Sequence, residues 1–477
     1  MTPLILSAYA VLLAAGAIAV WRRPIVALYV FIVGLALHNL ALALLYDAGL
    51  RGREIDAVQA WKEALLAVAV GRVATDAVRS RALPFRPRLV DSLALAFAAI
   101  VCLYALIPQD VLDGDAGAKA VLYGLRHGLV PVVAYFLGRS LLVSRAELRR
   151  IGWTLLGVAA ALAVGGLIDL YAVDVEWWRG SGAVGYFRYE LGFDYHGPGG
   201  LPDNWAFNTD DGLFRRLVAS FISPLATAFA LVVALLLTGI AWQDQRRRPL
   251  AVALVAVCSA ALLFTLSRSS LLALAGAFVV LAIALRRWWP VALTAVVLAA
   301  GVGFAFAFTS VAPETHFFPE DLPYQEEQAR KHGDLPGGST LALNPGEPSL
   351  RSHWRSLRDG IETVLEHPQG YGLGNAGAIA VRFGVPLRAG ESNYTETGVE
   401  TGLAGALLLV AWSLALLVAL VRSAWSSGEA TFRVGAAGTA AAFAAVLALG
   451  IQTDAYGVPW LAYCLWWLAG SLVEPES

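Results

Sequence analysis

Four arginines lie beside or within long apolar runs, where a permanent positive charge is costly and usually has a function. Arg215 and Arg216 directly precede one run, Arg268 stands in a short polar turn between two others, and Arg126 lies near the end of a fourth. A guanidinium binds phosphate through two parallel hydrogen bonds and does not lose its charge. If these arginines meet at one membrane face, they predict a phosphate or pyrophosphate site. For any one of them, the alternative is simple contact with the membrane interface.

More arginines belong to a predicted amphipathic helix at 349–365. Its apolar residues follow spacings of four, three, four and four, which is the helical period: Leu350, Trp354, Leu357, Ile361 and Leu365. Its other face carries Arg351, Arg355 and Arg358. A helix with one apolar and one cationic face suits the boundary between lipid and water.

An enzyme would also need an acid or base near these arginines. The candidates are Glu391, Glu396, Glu400, His353, His367, Asp169 and His196. Glu391 stands out because it directly precedes Ser392-Asn393-Tyr394 where a loop enters an apolar run, and partial burial there would favour action as a general base. A solvated loop carboxylate or a helix cap is the alternative.

Aromatic residues are dense in the segment 173–215, which includes Trp177, Trp178 and Tyr189. Such rings stack on sugars. They also form belts at the membrane interface, and the sequence does not separate the two roles.

The elements that must position these residues are membrane helices. Of the 477 residues 58% are hydrophobic and only 15% are charged, and the mean hydropathy is +0.63. A soluble core cannot hide so much apolar surface, which excludes an ordinary soluble enzyme and a disordered chain. The net charge of -1 argues against nucleic acid as a partner. We therefore predict an all-α polytopic membrane protein.

A helix needs about 20 mostly apolar residues to cross a bilayer. Candidate spans, about 12–13 in all, lie near 4–21, 24–46, 58–78, 88–107, 118–140, 150–172, 216–240, 249–267, 269–285, 288–309, 393–421, 434–453 and 457–473. These spans divide the chain into N-terminal helices (1–172), a first long loop (173–215), central helices (216–309), a large loop with the amphipathic helix (310–392) and C-terminal helices (393–477). The span at 58–78 is the weakest, because it carries Lys62 and Glu63. The turn at 267–270 decides between two spans and one long helix.

Basic and non-basic connections alternate along the whole series of spans. Arg-rich connections mark the cytoplasmic side of a membrane protein. Both long loops fall on the opposite face, which places the N-terminus, the arginine sites and the candidate bases outside the cytoplasm.

Four segments resemble the motifs of the O-antigen ligase/polymerase (Wzy/WaaL) superfamily, and they occur in that family's order. They are Arg216–Leu225, Leu263–Leu271, the stretch from Arg351 to Gly374, similar to the family's Arg-x-x-Trp … Pro-x-x-Gly-x-Gly element, and the stretch from Glu391 to Gly405 with its Glu-x-Gly-x-x-Gly end.

The resemblance implies a GT-C-like membrane glycosyltransferase without a metal or other cofactor. Such an enzyme takes a glycan from undecaprenyl pyrophosphate and joins it to an acceptor sugar hydroxyl. Arg216 and Arg268 would hold the leaving pyrophosphate, together with Arg215, Arg126, Arg351 and Arg355, while Trp177, Trp178, Tyr189, Asn393 and Tyr394 would contact glycan. Ligases of the family carry a His just before the Asn of the last motif, where this chain has Ser392. This departure makes Glu391 the first candidate for the base, and His353 and His367 follow.

The leading functional hypothesis is an O-antigen or exopolysaccharide polymerase in the bacterial inner membrane, with its active site facing the periplasm or exterior. An O-antigen ligase or a protein O-glycosylating ligase differs from it only in the acceptor. A transporter or flippase is the third hypothesis, and it predicts charges near the middle of the membrane and two related halves. A chain-length regulator is expected as a partner only through the family.

Overall fold

The computed structural model describes residues 2–141, 143–209, 212–332 and 348–473, without the side chains of 329, 331, 332 and 348–351. Within these ranges the protein is mostly helical with very little strand, and eleven helices are long and apolar enough to cross a membrane. The prediction of an all-α polytopic membrane protein is confirmed.

The first part of the chain forms seven helices: α1 (Thr2–Arg22), α2 (Val26–Asp47), α3 (Arg53–Gln59), α4 (Trp61–Ser80), α5 (Leu89–Leu106), α6 (Ala118–Ser140) and α7 (Arg145–Ala172). Helix α7 begins where the Ser144 hydroxyl accepts a hydrogen bond from the Glu147 amide. A serine at this position satisfies one of the amides that have no partner within the helix.

The segment after α7, predicted as a long loop, is folded around its own aromatic core. It contains α8 (Val175–Gly180), α9 (Gly182–Gly185), a π-helical turn (Tyr186–Glu190) and an antiparallel hairpin of β1 (Ala206–Thr209) and β2 (Gly212–Arg215), which β3 (Glu314–Thr315) extends. Trp178 and Trp205 meet edge to face at 5.0 Å in the core of this segment. Burial of these large rings explains why the segment is compact.

The central helices are α10 (Pro224–Ala241), α11 (Arg248–Phe264), α12 (Arg268–Leu285) and α13 (Trp289–Val311). The span predicted at 216–240 was wrong at its start, because the helix begins at Pro224. Ser223 caps it and Pro224, which has no amide hydrogen, suits its first turn. The sequence left open whether 249–285 forms two spans or one long helix. The structure has two helices, since α11 ends at Phe264 and α12 begins at Arg268, so the turn lies at 265–267, slightly before the position considered.

The second long loop contributes α14 (Leu322–His332), α15 (Pro348–Glu366) and α16 (Gly377–Arg382). Helix α15 confirms the predicted amphipathic helix. Gly360 and Val364 pack against the helix that begins at Asn393, whereas Trp354 and Leu365 are 70% and 64% exposed. The exposed apolar face is consistent with a place at the lipid surface.

The chain ends with α17 (Asn393–Ser426), α18 (Ala430–Leu449) and α19 (Pro459–Leu472). Each of the thirteen candidate spans in the sequence coincides with a helix. Two of these helices, α4 and α19, are not both long and apolar enough to cross a membrane. Helix α4 carries several charges, including the buried Lys62. Helix α19 has only 14 residues, and nearly all of them are buried inside the bundle.

The two ends of the helix bundle differ in the residues and segments that they carry. At one end, which we call the basic end, Arg139 donates to Asp91 at 3.0 Å and to the Val473 carbonyl at 2.8 Å, and Arg23 pairs with Glu147 at 2.7 Å. The opposite end carries both long segments, and we call it the loop end.

Candidate functional site

A recess at the loop end is lined by residues of α6, α16, α17 and the turn after α18. Its titratable members are His127 of α6, Glu396 and Glu400 of α17, and Asp454 of the turn after α18. We call this group the acidic recess. Glu396 and Glu400 are four residues apart and therefore share one face of α17. Each is only 7% exposed, whereas the side chains of His127 and Asp454 are 22% and 20% exposed. The two glutamates thus form the floor, and the other two residues form the rim.

Glu400 fixes the glycine-rich turn that covers the recess. Its Oε1 accepts a hydrogen bond from the Gly374 amide at 2.8 Å. Gly374 has φ +85°, and a Cβ there would lie 2.8 Å from the carbonyl carbon of Ala120 in α6. Only glycine has this backbone conformation without strain and leaves room for the close approach.

Glu396 lies buried among other negative charges. Repulsion from Asp454, Glu400 and Glu391 reaches its carboxylate. Among the residues that the structure describes, Glu396 Oε1 has no hydrogen-bond partner. A buried polar atom without a partner is costly, so this oxygen is ready to accept a hydrogen bond from a bound group.

Asp454 is fixed by residues on either side of the recess. Asn393 donates to its Oδ1 at 2.5 Å, and His127 Nε2 lies 3.6 Å from the same oxygen. The Asn393 side-chain carbonyl also accepts from the amides of Ala455 and Tyr456. Asn393 therefore joins the start of α17 to the turn after α18.

His353 and Glu391, two of the three predicted base candidates, are in direct contact. His353 Nδ1 of α15 lies 2.6 Å from Glu391 Oε2, two residues before α17 begins. Glu391 is not buried as expected, since its side chain is 59% exposed. A carboxylate on Nδ1 orients an imidazole and sets its tautomer, which is the arrangement that general bases use. The third candidate, His367, stacks on Tyr371 at 3.9 Å instead.

Arg216 is bound to the turn between α11 and α12, directly before Arg268. Arg216 Nε donates to the Thr265 carbonyl at 2.8 Å, and its Nη1 donates to the Asn204 carbonyl at 2.9 Å. Leu266 in this turn has φ +45°, a conformation that costs energy outside glycine. Arg268 follows, half-buried, with its guanidinium carbon 5.9 Å from the Phe207 ring centre. Arg216 thus stabilises the strained turn that presents Arg268.

The remaining arginines of the predicted phosphate group lie in different surroundings. Arg215 is buried against Asp169 at 3.3 Å; burial lowers the pKa of this guanidinium, and the carboxylate opposes that shift. Arg126 lies against Glu63 at 3.2 Å, on the α4 side of α6. Arg355 is exposed on α15, and the side chain of Arg351 lies outside the described residues.

The predicted glycan-contacting residues also separate. Trp178 is 4% exposed and donates to Asp169, and Asn393 is 1% exposed, so neither offers a surface to a sugar. Tyr394 donates to the Leu447 carbonyl. Trp177 and Tyr189, which are 49% and 73% exposed, keep accessible rings.

Sequence reasoning named Glu396 and Glu400 only among several carboxylates, and it treated His127 as a polar group of the bundle. It did not name Asp454. The four-residue spacing of the glutamates was the available signal, whereas nothing in the sequence links them to α6 or to the turn after α18.

Comparison with protein families gives one match. Residues 253–410 match the O-antigen ligase family (Wzy_C). The matched segment contains Arg268, His353, Glu391, Glu396 and Glu400, while Arg216 and the rim of the recess lie outside it. No curated protein matches the chain. The match confirms the resemblance to the O-antigen ligase/polymerase superfamily, and the chain is a polytopic membrane protein in which residues 253–410 are similar to the O-antigen ligase family.

Proposed function

We propose that this protein is a polysaccharide polymerase that transfers a glycan from undecaprenyl pyrophosphate to the hydroxyl of an acceptor sugar. The observation that carries the proposal is the contact between His353 and Glu391, which stands at the start of the helix that bears the acidic recess. The O-antigen ligase domain supports a membrane enzyme of the ligase or polymerase type. The basic connections at the opposite end support a loop end that faces the periplasm or exterior.

In this reaction His353 is the general base. The acceptor hydroxyl gives its proton to Nε2 while Nδ1–H donates to Glu391, and the hydroxyl oxygen forms a bond to the anomeric carbon. The bond between that carbon and the pyrophosphate oxygen breaks, and its electron pair leaves with the polyprenyl pyrophosphate. Glu391, first expected to be the base, is then a positioning residue that stabilises the imidazolium.

Arg268 binds the leaving pyrophosphate. Negative charge on the bridging oxygen grows as the bond breaks, and a guanidinium held in place before the reaction stabilises it without reorganisation. Arg216, whose guanidinium is bound to backbone carbonyls, acts through the turn. Helix α12, which begins at Arg268, packs along α18, and the turn after α18 supplies Asp454 to the recess.

The acidic recess binds the acceptor sugar. The carboxyl oxygens of Glu396 and Glu400 can accept hydrogen bonds, and the hydroxyls of a sugar ring are donors that match them. Glu396 Oε1 would gain in such a complex the partner that it lacks among the described residues.

One observation favours an O-antigen ligase as the second candidate. Ligases of the family carry a histidine before the Asn of the last motif, and Ser392 stands there in this chain. Helix α15 brings His353 against the neighbouring Glu391, so an imidazole reaches the same region from another element. The two candidates differ in product, since a polymerase gives a ladder of chain lengths and a ligase gives a capped lipid or protein.

The test is an in vitro transfer assay. Protein in nanodiscs is incubated with an undecaprenyl-pyrophosphate-linked repeat unit isolated from the host, and the products are separated on a gel. We expect a ladder with wild type that His353→Ala and Arg268→Ala abolish. Arg287→Ala, an exposed arginine at the opposite end of α12, is the matched control and keeps the ladder.

Transfer that requires an added lipid or protein acceptor would identify the ligase. A ladder that survives His353→Ala would remove His353 as the base. If no acceptor supports turnover, the proposed transfer reaction would be wrong and the transporter hypothesis would be favoured.

A further inference from the structure

A second group of cations lies at the loop end, on the α4 side of α6. The guanidinium carbons of Arg126 and Arg382 lie 4.5 Å and 4.6 Å from the ring centre of the same tyrosine, Tyr123. Lys62 of α4 is close enough that both arginines act on its charge. We call Lys62, Glu63, Tyr123, Arg126 and Arg382 the Tyr123 cluster. Lys62 and Arg382 were not among the predicted site residues.

The cluster contains three cations and one carboxylate. Glu63 serves two of the cations, since its Oε1 lies 3.2 Å from Arg126 and its Oε2 lies 3.6 Å from Lys62. Arg382 donates to the backbone carbonyl of Glu190 at 3.1 Å, and it forms no ion pair within the part of the chain that the structure describes.

Neighbouring carboxylates have other partners. Asp56 lies 3.7 Å from Lys119, and the Glu190 carboxylate accepts from the Gly52 amide at 2.9 Å. Counted within the Tyr123 cluster itself, the three cations exceed the single carboxylate by two charges.

These excess charges are only partly solvated. Lys62 is 4% exposed, Arg382 is half-buried, and the Arg126 side chain is 38% exposed. Cations held this close repel one another, and burial removes the water that would screen the repulsion. A bound anion would offset both the repulsion between the cations and the loss of their hydration. The exposed part of Arg126 would let an anion reach the cluster from solvent.

We propose that the Tyr123 cluster binds a second phosphate or pyrophosphate group, separate from the one at Arg268. Arginine forks bind phosphate oxygens in pairs, and Lys62 adds a point charge behind them. Arg126 precedes His127 of the acidic recess, and α16 gives Ile379 to the recess and its last residue, Arg382, to the cluster. The recess thus adjoins the Tyr123 cluster through α6 and α16, whereas Arg268 belongs to α12.

The role of this second site in catalysis rests on the proposed transfer reaction. If the first anion site holds the donor, the second holds the acceptor, and the acceptor sugar is attached to a phosphate-bearing lipid. A polymerase joins two such molecules, so the second site favours the polymerase.

The test is calorimetric titration of inorganic pyrophosphate into full-length protein in phosphatidylcholine nanodiscs. It requires no turnover, so its outcome is independent of the transfer assay. We expect two sites in wild type, one in Arg382→Gln and one in Arg268→Gln. Arg358→Gln, which removes an exposed guanidinium at the same end, keeps both. Arg382→Lys keeps the charge but loses the fork, and we expect affinity at the second site to fall at least tenfold.

A single site in wild type that Arg268→Gln removes would overturn the proposal, as would two sites that survive Arg382→Gln in correctly folded protein. Two further arms identify the source of the phosphate. Undecaprenyl pyrophosphate in the nanodisc should compete at both sites. Competition by phosphatidylglycerol at the Arg382 site would instead make that site a bilayer headgroup contact and overturn its role for an acceptor.

Discussion

The guanidinium of Arg216 donates to the carbonyl of Thr265 across 49 positions of sequence, at 2.8 Å, and is 9% exposed. This bond joins the segment before α10 to the turn that begins α12. Arg216 and Arg268 thus have different roles. Arg216 is bound to the backbone of the turn, whereas Arg268 is the first residue of the helix that follows the turn.

This difference predicts opposite effects of substitution. Arg216→Ala leaves buried carbonyls without their donor and should lower the free energy of unfolding by about 3 kcal/mol. Arg268→Ala should change it by less than about 0.5 kcal/mol, because a half-buried side chain at the start of a helix contributes little, yet it should abolish pyrophosphate binding at the Arg268 site and leave only the site at Arg382. Thermal unfolding and titration of the two variants in the same nanodiscs measure both effects. A marked loss of stability in Arg268→Ala would contradict the assignment of a structural role to Arg216 and a binding role to Arg268.

The contact between His353 and Glu391 predicts non-additive kinetics. Removal of a general base costs about 10²–10⁴-fold in rate, so His353→Ala should lose at least about 100-fold. Glu391→Gln should lose less, because the imidazole stays in place with a weaker partner. Since Glu391 acts through His353, the double variant should be no slower than His353→Ala alone. Glu362→Gln, on an exposed carboxylate of the same helix, is the control. Additive losses would show two independent roles.

The acidic recess predicts an effect on acceptor binding. Glu396→Gln has nearly the same shape and cannot ionise within a crowded acidic group, so the fold should persist and the unfolding temperature should not fall. We expect KM for the acceptor to rise while inorganic pyrophosphate affinity is unchanged. Unchanged KM with reduced kcat would mean that Glu396 acts on the reacting atoms instead.

The glycine-rich turn offers a matched pair of substitutions. Gly374→Ala combines φ +85° with a Cβ contact of 2.8 Å to backbone, whereas Gly384→Ala has φ +65° and open space around it. Backbone strain alone costs about 1–3 kcal/mol, so Gly384→Ala should be mildly destabilised and active. Gly374→Ala should lose activity as well, because the turn must move away from Glu400. Equal behaviour of the two in unfolding and transfer assays would show that the close approach is unimportant.

The basic end predicts a purely structural effect. Asp91 accepts from Arg139 and from the Tyr135 hydroxyl, and it is 2% exposed. Removal of one partner from a buried ion pair typically costs about 3–5 kcal/mol, so Asp91→Ala should be destabilised by about that amount. Pyrophosphate binding by the folded fraction should be unchanged, because the substitution lies at the end opposite the arginine sites. Altered affinity at an equal folded fraction would show that the two ends are coupled.

Hydropathy and charge alone determined the membrane architecture. Long apolar runs separated by basic and non-basic connections can satisfy their backbone only as membrane helices. The amphipathic period of 349–365 likewise predicted α15 to within a residue at each end. Helix α19 shows the limit of hydropathy, because an apolar run buried inside a bundle and one that crosses lipid have the same composition.

The tertiary structure decided which polar residues meet. Glu396 and Glu400 share a helix face by their spacing, but Asp454 and His127 reach them only through the packing of α6, α17 and α18. His353 meets Glu391 because Gly360 lets α15 approach α17 closely, with Thr395 Cβ only 2.9 Å from where a Cβ would stand. Arg126 and Arg382 come from two separate helices to one tyrosine, and Glu63 joins Arg126 to Lys62 of a third helix. Periodicity fixes the faces of each helix, whereas the contacts between helices depend on side-chain shape across the whole bundle, which no local pattern in the sequence contains.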